Sequence, residues 1–536
     1  MSRSLYDKLY RLYGDTLPES TVSARASALV DLDQQSWNPS PTPDCLAKLG
    51  TIRVAIVGGG FAGMMAAWSL CQAYIGIEVV VFEAGADVGG RVLSDEKFTK
   101  GTRTTEFGAE LVGANHPTWI KLARDLGVGL ITRTGEGHYK LLKLKVKLRF
   151  DGSAGKDLSD TEAQTLEEGM RAAFKEIGKD AKMINDASRP WKQPDLEKFD
   201  KVSVQEKLGT LKLTKLVYRG IQMQLENNMV SSIESINYLA LLCLVRAGRF
   251  GSEKDDPNYL GFWQQTEAFR CADGCQTLVK KMVERLTDPK SKYKFTLLTN
   301  THVRKIETDS ATAPKQVKLE WKSTAAVKKV AAGFDYVVLA VPPSVWSDIK
   351  ITPQHPKDIG PIQMGPASKF FSNFDKRFWI LEGAAPSGIS SDLGMIWEST
   401  DNQMQVGKSQ VALAVFAGGP GVAGRDKGYY RNKMRSLYTG YAANLSVNGP
   451  ELVEWQRRDY IKTGYSCPQK GHIFKVPAVA PALQNPFGGG RMFLAGEHTQ
   501  TDFFGFMEGA LRSGRRAAKD IITTVCPGSF PDIRIA

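Results

Sequence analysis

Gly58-Gly-Gly-Phe-Ala-Gly63 fits G-x-G-x-x-G, a pattern that constrains a fold tightly when its flanks agree. Before it, Ile52 to Val57 is a continuous apolar run that predicts a buried strand. After it, Phe61 to Tyr74 is rich in Ala and Met and predicts a helix, and Glu78 to Phe82 predicts a second buried strand. Together they make a βαβ unit of about thirty residues. Gly58 permits the tight turn, Gly60 lets a pyrophosphate approach the backbone, and Gly63 lets helix and strand pack closely. The helix N-terminus adds amide hydrogens and partial positive charge for phosphates. Glu83 ends the second strand, where a carboxylate can hold a ribose diol. A dinucleotide-binding α/β fold follows.

A chain of 536 residues is several times the usual domain size, so at least two domains are expected. Arg171 to Ser188, Val204 to Leu225 and Ile233 to Ala247 read as helices. Strand patterns return at Phe295 to Leu298, Val317 to Trp321 and Tyr336 to Ala340. Met492 to Ala495 is a last strand, and Gly496 to Ile522 a turn followed by a helix. One nucleotide-binding domain built from separated segments, with a second domain inserted, accounts for this order.

The net charge of +13 raises nucleic acid or a membrane surface as partners. In the densest basic stretch, however, Lys143, Lys145, Lys147 and Arg149 alternate with Leu142, Leu144, Val146, Leu148 and Phe150. That period of two predicts a half-buried strand with a solvated face, so neither partner is expected. The seven cysteines form no zinc-like or redox pair and are expected as free thiols of a reducing compartment. Met1 to Tyr13 lacks a signal-like apolar stretch, Asn38 to Pro43 reads as a linker, and no window suits a membrane span. A soluble, cytoplasmic protein is expected.

Gly89-Gly90-Arg91, just after Glu83, resembles the second motif of the flavin amine oxidases, the family of monoamine, polyamine and L-amino-acid oxidases. Glu106-Phe-Gly108-Ala109 is similar to the element beside the flavin, with Glu110 next to it. Thr301-His-Val303 resembles the segment whose valine backbone meets adenine, and Val338-Leu-Ala-Val-Pro342 the following crossing. Phe493-Leu-Ala-Gly496-Glu497, Gly505-Phe506-Met507 and Ser513 to Ala518 are similar to the closing motif.

The resemblance implies FAD, held by Gly58, Gly60, Gly63, Glu83, Gly89, Gly90, Arg91, Gly108, Ala109, Glu110, Val303, Gly496, Glu497, Gly505, Phe506 and Met507. It implies Tyr465 and Phe506 as aromatic walls for the amine. Lys369, ten residues before Trp379, matches the lysine that holds a water at the flavin. Gln265, Glu267 and Arg270 fall where the family chain borders the substrate. The cysteine that bonds covalently to FAD in monoamine oxidases is Gly464 here, so FAD is expected to be non-covalent. The substrate-gripping arginine of many L-amino-acid oxidases is replaced by Leu111 beside Glu110, which leaves Arg270 and the Tyr465 hydroxyl to hold a carboxylate.

The fold implied is α/β: a Rossmann-like FAD-binding domain from discontinuous segments, with a mixed α+β substrate domain carrying a helical insertion. Its expected division is an extension over 1–50, FAD-binding segments over 51–115, 276–345 and 486–536, and substrate segments over 116–275 and 346–485. The expected activity is oxidation of L-amino acids by oxygen to 2-oxo acids, ammonia and hydrogen peroxide, in a protein that could form homo-oligomers. Monoamine or polyamine oxidation, and amino-acid monooxygenation, are the alternatives; no metal is implied.

Overall fold

Every residue of Ile52–Val57 (β1) except Arg53 is buried, and Ile77–Phe82 (β2) repeats the pattern with Glu78 as its exception. Both strands are therefore covered on two faces, as parallel strands require. The structure is a computed structural model. It describes residues 50–527 except 74–75, 102, 134–138, 140–143, 152–154, 310–313, 324–329, 356–358, 360–361, 404–409, 448 and 475–478. Residues 1–49, with the expected linker, lie outside the described residues.

β1 pairs in parallel with β2, and Phe61–Ala73 (α1) connects them. On the other side of β1 lies Tyr336–Leu339, with Val54 opposite Tyr336 and Val57 opposite Leu339. Met492–Leu494 pairs with Tyr336–Leu339, and Lys294–Leu298 with β2. One five-stranded parallel sheet is thus assembled from widely separated parts of the chain. The C-terminal helix Met507–Val525 packs on α1 so closely that a Cβ at Gly514 would lie 2.1 Å from the Ala62 carbonyl oxygen. Glycine there permits the crossing.

A second, six-stranded sheet runs in the order Glu451–Glu454, Ser368–Phe374, Val411–Ala417, Gly394–Glu398, Ala384–Ser390, Lys145–Arg149. The basic segment is a strand as expected, though shorter, and residues 140–143 lie outside the described ones. Lys147 and Arg149 both reach Asp157 at 3.1 Å, so this stripe is partly neutralised within the protein.

The helical middle is set by caps. Ser159 and Glu162 form a reciprocal box that starts Asp160–Ala181 before the expected Arg171. The expected helix over Val204 to Leu225 divides in two. Val204–Thr210 ends at Leu211, and Thr214 caps a new helix, Lys215–Met229. Asn237 caps Tyr238–Ala247, so Ile233 to Ser235 fall outside that helix.

Five described cysteines are free and buried. Cys526 is disulfide-bonded, which corrects the expectation that every cysteine is a thiol. Among the described residues no helix is long and apolar enough to cross a membrane.

Candidate active site

The glycine turn, the Gly89-Gly90-Arg91 segment and the C-terminal motif meet around one cavity of about 580 Å³. Gly58 has φ +106° and a Cβ there would meet Val341 at 2.9 Å, so only glycine makes this turn without strain. Gly63 does not line the cavity: a Cβ on it would stand 1.9 Å from the Gly58 carbonyl oxygen, so it is the helix–strand contact that was expected. Gly60 and Gly89 form a parallel bridge, and Gly90 lies against Gly60 on the wall. The first turn of α1, whose amides have no partner within the helix, is part of the same wall.

Glu83 lines the cavity with its carboxylate fixed by two amides, Gly59 N–H at 2.7 Å and Gly85 N–H at 2.6 Å. Burial raises its pKa, and the two amides oppose the rise.

Arg91 donates to the Gly464 carbonyl at 2.9 Å and to Glu497 at 2.6 Å. Glu497 also accepts from the Gly505 amide at 2.7 Å and from Ser466. Burial works most strongly against its charge, but Arg91, His498 and the Ser466 hydrogen bond together outweigh it, and its pKa lies below the ordinary carboxylate value. This pair ties the second motif to the closing one. Next to it, His498 is buried on the cavity wall with neither ring nitrogen hydrogen-bonded, and burial pushes its pKa down to about 3.

A glycine-lined cradle, a helix N-terminus, an anchored acid and unsatisfied ring nitrogens on the wall fit a dinucleotide diphosphate with its riboses. Ala109, Val303, Gly496 and Met507 line the same cavity. The C-terminal helix begins at Met507 with Phe506 as its N-cap, two residues later than a start at Gly505.

Beyond the cradle the wall turns aromatic and charged. Lys369 lies in the all-buried strand Ser368–Phe374. Its ammonium donates to the Glu106 carbonyl at 2.7 Å, the Gly108 carbonyl at 3.0 Å and a Glu110 carboxylate oxygen at 2.9 Å. All three protons of the ammonium thus have protein acceptors. Glu110 further accepts from the Trp397 indole at 2.9 Å and from Arg270. Glu106 itself is turned to Ser94 and the Cys275 amide, and burial pushes its pKa up to about 7.

Arg270 sits in Phe269–Cys271, the middle strand of a small sheet, directly opposite Leu111. It is buried and ion-paired with Glu110 and Asp401, and it donates to the Ser399 and Glu398 carbonyls. Burial alone lowers its pKa, but Asp401 and Glu110 overcome that and hold it above the usual arginine value. It does not line the cavity, and neither does Gln265. The expectation that these two bind substrate is therefore corrected: both side chains are absorbed by the protein interior. Thr266 and Glu267, on the turn between them, line the cavity instead.

Tyr465 and Phe506 are both on the wall, as expected. The ring parallel to Tyr465 is Phe416, with centroids 6.4 Å apart and 9° between planes. Phe506 is tilted steeply against His116, Phe262 and Phe503. The Tyr465 hydroxyl, which was expected to help hold a carboxylate, donates to the Asn228 carbonyl at 2.8 Å. Burial raises its pKa further above the phenol range. Phe416 and Trp397 carried no motif-level signal. Alternation within their strands could have suggested Phe416 and Trp397, but not which face meets the cavity.

Residues 61–522 match the model of the flavin containing amine oxidoreductases. The chain is 24% identical over 493 residues to a probable flavin-containing monoamine oxidase A of Dictyostelium discoideum, covering 87% of this chain and 97% of that one. It is 23% identical to a flavin-containing amine oxidase A of Sus scrofa, over 90% and 87% of the two chains. A putrescine oxidase solved with putrescine bound shares the fold at TM-score 0.70 and 19% identity, over 89% of this chain and 99% of that one. A cyclohexylamine oxidase from Brevibacterium oxydans does so at 0.67 and 18%, over 89% and 99%. The family match spans most of the chain, and this chain belongs to the flavin-containing amine oxidoreductase family and works with FAD on amines.

Proposed function

We propose that the chain oxidises a primary amine carrying no α-carboxylate, with oxygen as electron acceptor and aldehyde, ammonia and hydrogen peroxide as products. The cradle of Gly58, Gly60, Gly89 and Gly90 would hold FAD, which would supply a two-electron acceptor beside the amine-bearing carbon. The protein contributes position and electrostatics: Tyr465, Phe416 and Phe506 form an apolar, aromatic chamber that orients the carbon and excludes water.

One observation carries this reading. An α-carboxylate entering such a chamber needs a cation or several donors to replace its hydration. Lys369 and Arg270 are both committed to Glu110, and Arg91 is committed to Glu497. Arg458, a further cation on the wall, lies over Trp455 in the segment leading to Tyr460, which packs on His302. The relatives named as monoamine oxidases favour the same reading. The expected oxidation of L-amino acids would require one of these pairs to open.

Anaerobic mixing tests the proposal. A primary amine should bleach the flavin absorbance, whereas the amino acid bearing the same side chain should leave it yellow. Bleaching by the amino acid alone would reject it.

A further inference from the structure

The two parallel rings on the cavity wall, Phe416 and Tyr465, belong to different sheets. Phe416 stands opposite Lys369 in the six-stranded sheet, and Tyr465 opposite Gly365 in a two-stranded one. Their centroids, 6.4 Å apart, lie toward the wide end of the roughly 4.5 to 7 Å over which aromatic pairs attract. Their own contact therefore does little to fix them. One helix end touches both segments. The helix Lys215–Met229 reaches the cavity with Asn228 and Met229 on the wall.

On the Phe416 side the contact is the buried side chain of Asn227. Its Nδ2 donates to the Met223 carbonyl at 2.7 Å. Its Oδ1 accepts from the amides of Gly418 at 3.4 Å and Gly419 at 3.2 Å, just beyond Phe416 in the chain. A Cβ at Gly418 would lie 2.4 Å from the Asn227 carbonyl oxygen, so glycine is what lets the strand close on this turn. On the Tyr465 side the phenol donates to the Asn228 carbonyl at 2.8 Å. A Cβ at Gly365 would lie 2.1 Å from the Val230 carbonyl oxygen, which brings the strand opposite Tyr465 onto the same turn. Val230 closes that turn at φ +47° and ψ +33°. This is the left-handed region, which a β-branched residue rarely occupies, and such strain persists only where the surroundings over-determine it.

Resting on the amine reading above, we infer that Asn227 is a positioning residue for the oxidation: the turn Asn227 to Val230 clips the segments of Phe416 and Tyr465 together and so sets the shape of the chamber that holds the amine. Asn227 does not line the cavity. It acts through the two rings, by its side chain on the strand that carries Phe416 and by the following carbonyl on the Tyr465 hydroxyl.

The experiment follows anaerobic reduction of the FAD-loaded enzyme by a primary amine in wild type, Asn227→Leu, Asn227→Asp, Tyr465→Phe and the double variant Asn227→Leu with Tyr465→Phe. The limiting rate of flavin reduction should fall roughly ten- to a hundredfold in Asn227→Leu, the scale on which a misplaced reacting group slows a reaction. The amine concentration at half-saturation should move much less. Asn227→Asp keeps an acceptor for the two glycine amides and should recover part of the rate. Tyr465→Phe frees the ring from the same turn, so the two losses should combine to less than their product. A wild-type limiting rate in Asn227→Leu, whatever its unfolding midpoint, overturns the assignment, and so do losses that multiply independently. If Asn227→Leu does not fold, wild-type rates in both Asn227→Asp and Tyr465→Phe overturn it. Visible circular dichroism of the bound flavin reads the chamber without turnover and should change in Asn227→Leu. If no amine bleaches the wild-type flavin, the amine reading fails, and the dichroism alone decides the clip: an unchanged spectrum overturns it.

Discussion

The ammonium of Lys369 lies 2.9 Å from the carboxylate of Glu110, and the same carboxylate takes Arg270 on its other oxygen. One acid thereby absorbs both of these cations. Trp397 adds a neutral donor at 2.9 Å.

Breaking this cluster should cost stability more than it alters substrate choice. Removing one partner of a buried, hydrogen-bonded pair typically costs about 3 to 5 kcal/mol. Arg270→Ala should therefore lower the unfolding midpoint by many degrees, because Asp401 and Glu110 would each lose a buried cation, Glu110 keeping Lys369. Calorimetry of the FAD-loaded protein reads this. A midpoint near wild type combined with a selective loss of L-amino-acid turnover would return Arg270 to the role of carboxylate ligand.

Lys369→Met removes the charge held beside the Glu106 and Gly108 carbonyls on the cavity wall. Reoxidation of the reduced enzyme by oxygen should slow by roughly tenfold or more, the scale of one electrostatic contact of a few kcal/mol. Reduction by amine should change much less. Stopped-flow traces of the two half-reactions check this, and an unchanged reoxidation rate would make Lys369 purely structural.

FAD should come off without covalent attachment. Gly464 lines the cavity where a tethering thiol would have to sit, and a Cβ there would meet Ala367 at 2.7 Å. Cys467 is buried off the cavity wall. Acid precipitation should leave all the yellow colour in the supernatant, and mass spectrometry of the protein should show no flavin adduct.

Three histidines should each contribute acid lability above the carboxylate range. Burial pushes His116 and His498 down to about 3 and His355 to about 4, against an ordinary value of 6.5. The unfolded chain takes up these protons first, so this contribution is complete above pH 6.5 and is lost as pH falls toward 4. Within its window each imidazole adds a slope of about 1.4 kcal/mol per pH unit. Glu106, raised to about 7, works the other way: protonated in the fold, it favours folding at low pH and loses that contribution between 4.5 and 7. Burial also raises Glu83, Glu398 and Glu508, which act in the same direction as Glu106, so the imidazole contribution is read by removing one histidine. His116→Asn, which can keep an acceptor for the Gly113 amide, should flatten the fall in midpoint between pH 6.5 and 4.5.

The cradle was legible because its signals are local: Gly58, Gly63 and Glu83 lie on one βαβ unit whose apolar runs define both strands. The separated segments could also be read, since Tyr336 to Leu339 and Met492 to Leu494 carry the same buried-strand pattern that pairs them beside β1. The substrate chamber was less legible. Arg270 has the right spacing for a ligand, but its partner Glu110 stands 160 residues earlier in the chain. The ring that parallels Tyr465 belongs to Val411–Ala417, an apolar run with no motif, and period-two alternation does not say which of its faces meets the cavity. Glu267 was noticed beside Arg270, but only the fold separates a turn residue on the wall from a strand residue beneath it.

The central claim is that this chamber accepts amines and gives an α-carboxylate no partner. Peroxide release with a set of primary amines and the amino acids that bear the same side chains measures it most directly. For each pair the amine should have the higher kcat/KM, by roughly ten- to a hundredfold or more, the cost of an unpaired carboxylate in an apolar site. L-amino acids outperforming their amines across the set would contradict the account and require the Glu110 pairs to open when substrate binds.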